Sequence, residues 1–119
     1  MAKQTTPAAA GAPARLRIAD LPARGRAHST GYVESVTLVP ADSAPRFTAL
    51  VADLQGAYRD PAAAQARRRV RLVWIGQRRI PGIVAGTQVA FEGMVSSVAG
   101  QPTIFNPRYE IIGRPEGEI

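Results

Sequence analysis

The sequence contains no cysteine, a single histidine and only seven aromatic residues: one Trp, three Tyr and three Phe. The missing thiols exclude disulfide staples, thiolate metal sites, cysteine nucleophiles and redox switching. The one imidazole, His28, stands in a strand-like stretch with no nucleophile motif beside it. It reads as a structural or surface residue rather than an acid–base catalyst. Acids are also few, nine against fifteen bases. Glu34, Glu92 and Glu110 fall in separate segments, without the clustering that Mg or Ca requires. Asp53, close to a glycine turn, reads as an acceptor for backbone N–H groups. No cofactor, metal, small-molecule substrate or enzymatic activity is expected. No apolar run approaches the roughly 18 residues that span a bilayer, and the N-terminus lacks the apolar stretch of a secretory signal. The expectation is a soluble cytoplasmic protein with no membrane partner.

What is present fits one domain. The chain has 119 residues, of which 45% are apolar and 20% charged, close to the globular average and enough for a real core. Residues 1–14 are small, Pro-containing and aperiodic, and are expected to form a disordered arm. Residues 15–25 carry Leu16, Ile18 and Leu21, but Pro22 and Gly25 stop a long helix, so this reads as a capping segment lying on the domain. Residues 113–119, with two glycines and a proline, read as a C-terminal tail.

Between the tails the pattern alternates with a period near two, the mark of strands. In 26–39, Gly31 and Val33 share one parity while Tyr32, Val36 and Leu38 take the other, so a bulge or bend is expected near Glu34 and Ser35. In 46–54, Phe47, Ala49, Val51 and Asp53 share a face. Residues 55–66 read as a loop. In 67–75, Val70, Leu72 and Trp74 point one way and Arg69, Arg71, Val73 and Ile75 the other. Gly76, Pro81, Gly82 and Gly86 exclude a long helix from the link that follows. Residues 87–98 place Val89, Phe91, Gly93 and Val95 on one face, residues 99–102 make a hairpin turn, and 103–112 form the last strand, with Pro107 at an edge or bulge.

Five strands, with glycines at Gly31 and Gly93 where a small closed sheet would bend, predict an all-β fold: a five-stranded Greek-key OB-fold barrel over 26–112. A sandwich of the immunoglobulin type would want about seven strands. The segment also resembles OB-fold nucleic-acid-binding domains, in particular the wedge type of the RecG family of DNA helicases and the small stand-alone bacterial OB-fold proteins of that type. The resemblance rests on Gly31-Tyr32-Val33, on the run from Val51 to Gly56, on Arg71-Leu72-Val73-Trp74, on Gly86 with the run from Val89 to Gly93, and on the run from Asn106 to Glu110. It covers about three quarters of the chain and implies the fold and an affinity for nucleic acid. Helicase activity is not implied, because motor domains and a phosphate-binding loop of the G-x-x-x-x-G-K-[ST] kind are absent.

Charge gives an independent clue. Between Asp60 and Glu92 lie Arg67, Arg68, Arg69, Arg71, Arg78 and Arg79 with no acid, which accounts for the whole formal net charge of +6. In OB folds the outer face of the second and third strands carries oligonucleotides, and arginine forks suit phosphates. The expected nucleic-acid-binding residues are these six with Arg46 on the neighbouring strand and Tyr58 in the loop. Their role is phosphate neutralisation, with the ligand single-stranded or branched DNA of little sequence preference. RNA would differ only through contacts to its 2′-hydroxyl. Trp74 shares its parity with the core. Tyr32, Phe105 and Tyr109 are, with Tyr58, the remaining candidates for base stacking. The alternative is a protein-interaction module that docks an acidic partner, such as one in DNA metabolism, or self-associates.

Overall fold

The computed structural model describes residues 15–53 and 68–115. Its elements run β1 (Arg15–Leu16), a 3-10 turn (Ile18–Asp20), β2 (Gly25–Leu38), β3 (Arg46–Ala52), β4 (Arg69–Ile75), β5 (Gln88–Val98), β6 (Gln101–Phe105) and β7 (Arg108–Gly113). The fold is all-β. No α-helix occurs among the described residues, so no helix there is long and apolar enough to cross a membrane. The expected arm at 1–14, and residues 116–119 of the expected tail, lie outside the described residues.

One sheet contains all seven strands, in the order β1-β2-β3-β4-β6-β5-β7, with an additional pairing of β2 to β5. The pairings therefore lead from β2 through β3, β4, β6 and β5 back to β2. All are antiparallel except β4 with β6, and β1 with β2 at the margin. Strand β2 spans fourteen residues because it serves two partners: residues 25–32 pair with β5, and residues 32–38 pair with β3.

The change of partner needs a bend, and three features supply it. The β2–β3 register slips between Val33 and Ser35, a bulge at the parity break visible in the sequence. At that point Val33 donates to the Thr87 carbonyl and accepts from the Gly86 N–H, both at 2.8 Å, so the departing backbone stays satisfied. Gly31 lies so close to β3 that a Cβ there would sit 2.6 Å from the Ala52 carbonyl oxygen and 2.8 Å from Ile18 Cδ1.

Inward parity builds the core from Phe47, Ala49 and Val51 of β3, Val70, Leu72 and Trp74 of β4, Val89, Phe91 and Val95 of β5, and Ile104 of β6. Ile80 and Ile83, in the helix-free link 76–87, and Ile18 of the 3-10 turn add to it from outside the sheet. Burial of each Val, Leu, Ile or Phe side chain among these contributes about 1.5–3 kcal/mol. The buried hydroxyls among the described residues are all engaged: Ser29 Oγ donates to the Leu16 carbonyl (2.6 Å), Thr87 Oγ1 to the Gly82 carbonyl (2.9 Å) and Thr103 Oγ1 to the Gln101 carbonyl (2.9 Å).

The structure corrects the strand count. The segment expected as one final strand over 103–112 is two, β6 and β7, broken at Asn106 and Pro107. Proline cannot donate to a ladder, and Asn106 takes a positive φ of 53° that asparagine tolerates better than most residues. Its N–H reaches the Val73 carbonyl, and its Oδ1 accepts from Ile75 N at 2.8 Å, fixing the break to the end of β4. A short marginal strand, β1, adds the seventh. The hairpin is also tighter than expected: Ala99 and Gly100 alone form it, both at positive φ (53° and 79°), and Gln101 and Pro102 already belong to β6.

Two substitutions test this reading by urea unfolding. Gly31→Ala should destabilise by about 1–3 kcal/mol, because the atom its Cβ meets is backbone. Ala99→Gly should stabilise by roughly 0.5 kcal/mol, since relief of left-handed strain outweighs the added chain entropy.

Candidate nucleic-acid interface

On β3 and β4 the parity opposite to the core places side chains on the outer face. The registers Leu50↔Arg71, Thr48↔Val73 and Arg46↔Ile75 form successive rows there. Strand β6 extends them, with Thr103 beside Arg71 and Phe105 beside Val73. Met94 of β5 and Phe105 of β6 each lie one residue beyond the last β5–β6 pair, Val95↔Ile104, and Met94 is in turn paired with Arg26 of β2. The result is a row reading Arg26, Met94, Phe105, Val73, Thr48 across five strands, in which Val73 is buried. Within it Phe105 is 47% exposed and Met94 56%, and the neighbouring Ile75 is 48% exposed. These large apolar groups are held in water, with arginines on either side.

The sequence-derived residues meet different fates. Arg46 is exposed at the start of β3, and half-buried Arg71 stands mid-face without an ion pair among the described residues. Arg69 shares that face, but its Nε donates to Glu34 Oε1 at 2.8 Å, so much of its charge is compensated. Arg68 is exposed just before β4; its N–H donates to Asp53 Oδ1 (3.3 Å) and its carbonyl accepts from Asp53 N (3.1 Å). Arg79 is exposed in the link after β4. Arg78, beside it, is engaged elsewhere: its guanidinium donates to the carbonyls of Pro40 (3.2 Å), Ala41 (3.0 Å) and Ser43 (2.7 Å). Arg67 and Tyr58 lie outside the described residues.

The aromatics divide in the same way. Trp74 is 6% exposed, packs between Phe47 (centroids 5.9 Å) and Tyr109 (5.6 Å, edge-on), and donates Nε1–H to the Pro107 carbonyl at 3.2 Å. It is a core residue and not a stacking platform. Tyr109 is held by that ring contact and a long hydroxyl bond of 3.4 Å to the Pro81 carbonyl. Tyr32 is half-buried. Of the candidate stackers in the described residues, Phe105 alone is exposed on the arginine-bearing face.

The next cross-strand row of the same parity on β2 and β5 lies just beyond Arg26 and Met94. Arg15, His28, Glu92 and Arg108 stand in register across β1, β2, β5 and β7. Glu92 accepts from Arg26 Nη2 at 3.2 Å. His28 thus sits among charges, with no nucleophilic side chain in its row. Among the described residues no group of three or more acids and histidines is placed to hold a metal ion.

No protein-family model matches the chain, and no curated protein matches it in sequence. Met94 and Arg26 are the members of the face that sequence reasoning missed. Met94 carried a signal, its parity opposite to Phe91 and Val95. Arg26 carried none, because only the β2–β5 pairing brings it there.

Trp74→Ala should cost about 3–5 kcal/mol in chemical denaturation, as for any large core aromatic. Trp74 fluorescence should also stay unquenched when an oligonucleotide is added.

Proposed function

We propose that the strand ring is a small Greek-key barrel of the OB type whose outer face binds single-stranded or branched DNA with little sequence preference, without catalysis. The pairing order supports the barrel: a long first strand shared between two neighbours, and a parallel contact where the ring returns. In that numbering β3 and β4 are the second and third strands, whose outer face carries oligonucleotides in such barrels. The reading is in keeping with the resemblance of 26–112 to wedge-type OB domains.

The observation that carries the function is the placing of exposed Phe105, with Met94, near Arg71 and Arg46 on one side and near Arg26, itself paired with Glu92, on the other. A flat apolar group beside separated cations answers both halves of a single strand, bases that stack and phosphates that need neutralising. A duplex hides its base faces and could use only the arginines. Exposed Ile75 favours a second reading, a protein-docking surface, because an aliphatic side chain offers a base little and a protein partner much.

Fluorescence anisotropy of a labelled single-stranded DNA oligomer separates the two. Affinity should fall roughly tenfold or more between about 50 and 200 mM salt, with single strands outcompeting duplex, as about two or three engaged phosphates require. Phe105→Ala should weaken binding about tenfold through lost stacking. Arg71→Glu should weaken it more and flatten the salt dependence. Arg69 is a poor target for reversal, since a glutamate there would face Glu34. Salt-insensitive binding, or none, would leave the protein-docking reading.

A further inference from the structure

Arg78 belongs by sequence to the basic run, yet its guanidinium is committed to the loop between β2 and β3. Three of its five N–H donors are spent on the carbonyls of Pro40, Ala41 and Ser43, at 3.2, 3.0 and 2.7 Å. Residues 39–45 contain two prolines, Pro40 and Pro45, which offer carbonyls but no N–H. The loop's other backbone ties are Ser43 N to the Pro40 carbonyl (2.9 Å) and Gly76 N to the Pro45 carbonyl (3.0 Å). All loop residues from Pro40 to Pro45 are exposed, so no buried side chain holds them down. The next residue is Arg46, at the rim of the proposed binding face.

We infer that Arg78 is a latch: a positioning residue that fixes the β2–β3 loop against the link after β4, and so presents Arg46 and the loop edge to the nucleic acid without touching a phosphate itself. The inference rests on the proposed binding face for its functional half. A planar cation suits the task, because one fork meets three converging carbonyl oxygens that lysine would reach one at a time. Preorganising an exposed loop raises affinity by removing an ordering cost from the binding step.

The test compares Arg78→Ala, Arg78→Lys and Arg71→Ala with the intact protein, using single-stranded DNA titrations over a salt series and amide hydrogen exchange on the free proteins. Arg78→Ala should accelerate exchange at Ser43 and Gly76 by about tenfold or more. It should weaken DNA binding about three- to tenfold by the ordering cost of a freed loop. The slope of log affinity against log salt should stay at the wild-type value, whereas Arg71→Ala should reduce it by about 0.7, one phosphate's worth. Arg78→Lys, which keeps the charge and loses the fork, should behave like Arg78→Ala. A slope reduced in Arg78→Ala as much as in Arg71→Ala, or full rescue by lysine, would make Arg78 a phosphate contact and overturn the latch. Unchanged exchange at Ser43 would overturn it whether or not DNA binds. Absence of DNA binding by the wild type, with exchange accelerated in Arg78→Ala, would remove the binding face and leave the latch a loop-holding device.

Discussion

Tyr32 is paired on both edges, with Gln88 of β5 and with Ala52 of β3, and the architecture depends on what happens at this residue. Before it β2 belongs to β5, and after it to β3. A flat strand could not change neighbours this way, since two partners on opposite edges would extend an open sheet. The bulge at Glu34, the side-chain-free approach at Gly31 and the backbone bonds of Val33 to the end of the link turn the strand through the bend. Once β3 and β5 diverge from one strand, β4 follows β3. β6 then fills the space between β4 and β5, antiparallel to one and parallel to the other.

The outer face inherits its composition from this closure. With core positions taken by one parity, the outward side chains, Arg71 and Phe105 among them, come from the other, although Val73 and Thr103 at that parity are buried. The break at Asn106 and Pro107 matters as much as the strands. It ends β6 directly after Phe105 and ties the turn to β4 through the bond from Ile75 N to Asn106 Oδ1. That fixes the backbone carrying Phe105, so the ring is held out on an ordered support instead of a loose loop.

Local patterns in the sequence were informative where the determinant is local. The alternation of Val70, Leu72 and Trp74 against Arg69 and Arg71 follows from pleating alone, as does the parity slip at Glu34 and Ser35. Gly31 and Gly93 were legible as places where a sheet could bend, but not the neighbours that a Cβ there would meet, Ala52 and Ile104. The split of the last strand was only partly legible: Pro107 signalled an edge or bulge and not a break, and the asparagine that completes the break is recognised only by its contact with β4. The fates of Arg69 and Arg78 were hidden altogether. Their acceptors lie 35 to 38 residues away in sequence, and for Arg78 they are backbone carbonyls, which leave no trace in residue identity.

These two arginines also show why a run of like charge is a poor map of a binding surface. Arg69 is paired with a carboxylate and its field is largely cancelled nearby. Arg78 is bonded to neutral carbonyls and keeps its full charge. The face is thus electrostatically uneven: Glu34 offsets Arg69 at one edge, while exposed Arg46 starts β3 directly after the loop that Arg78 holds. Screening acts over about 8 Å at physiological salt, so a cation held at the rim still attracts an approaching polyanion it never touches. Topology brings Arg26 to the face from elsewhere in the chain but pairs it with Glu92, pairs Arg69 with Glu34, and commits Arg78 to the β2–β3 loop. On the proposed reading, the charge that binds a polyanion is carried by Arg71 and Arg46, and the charge held at the rim by Arg78.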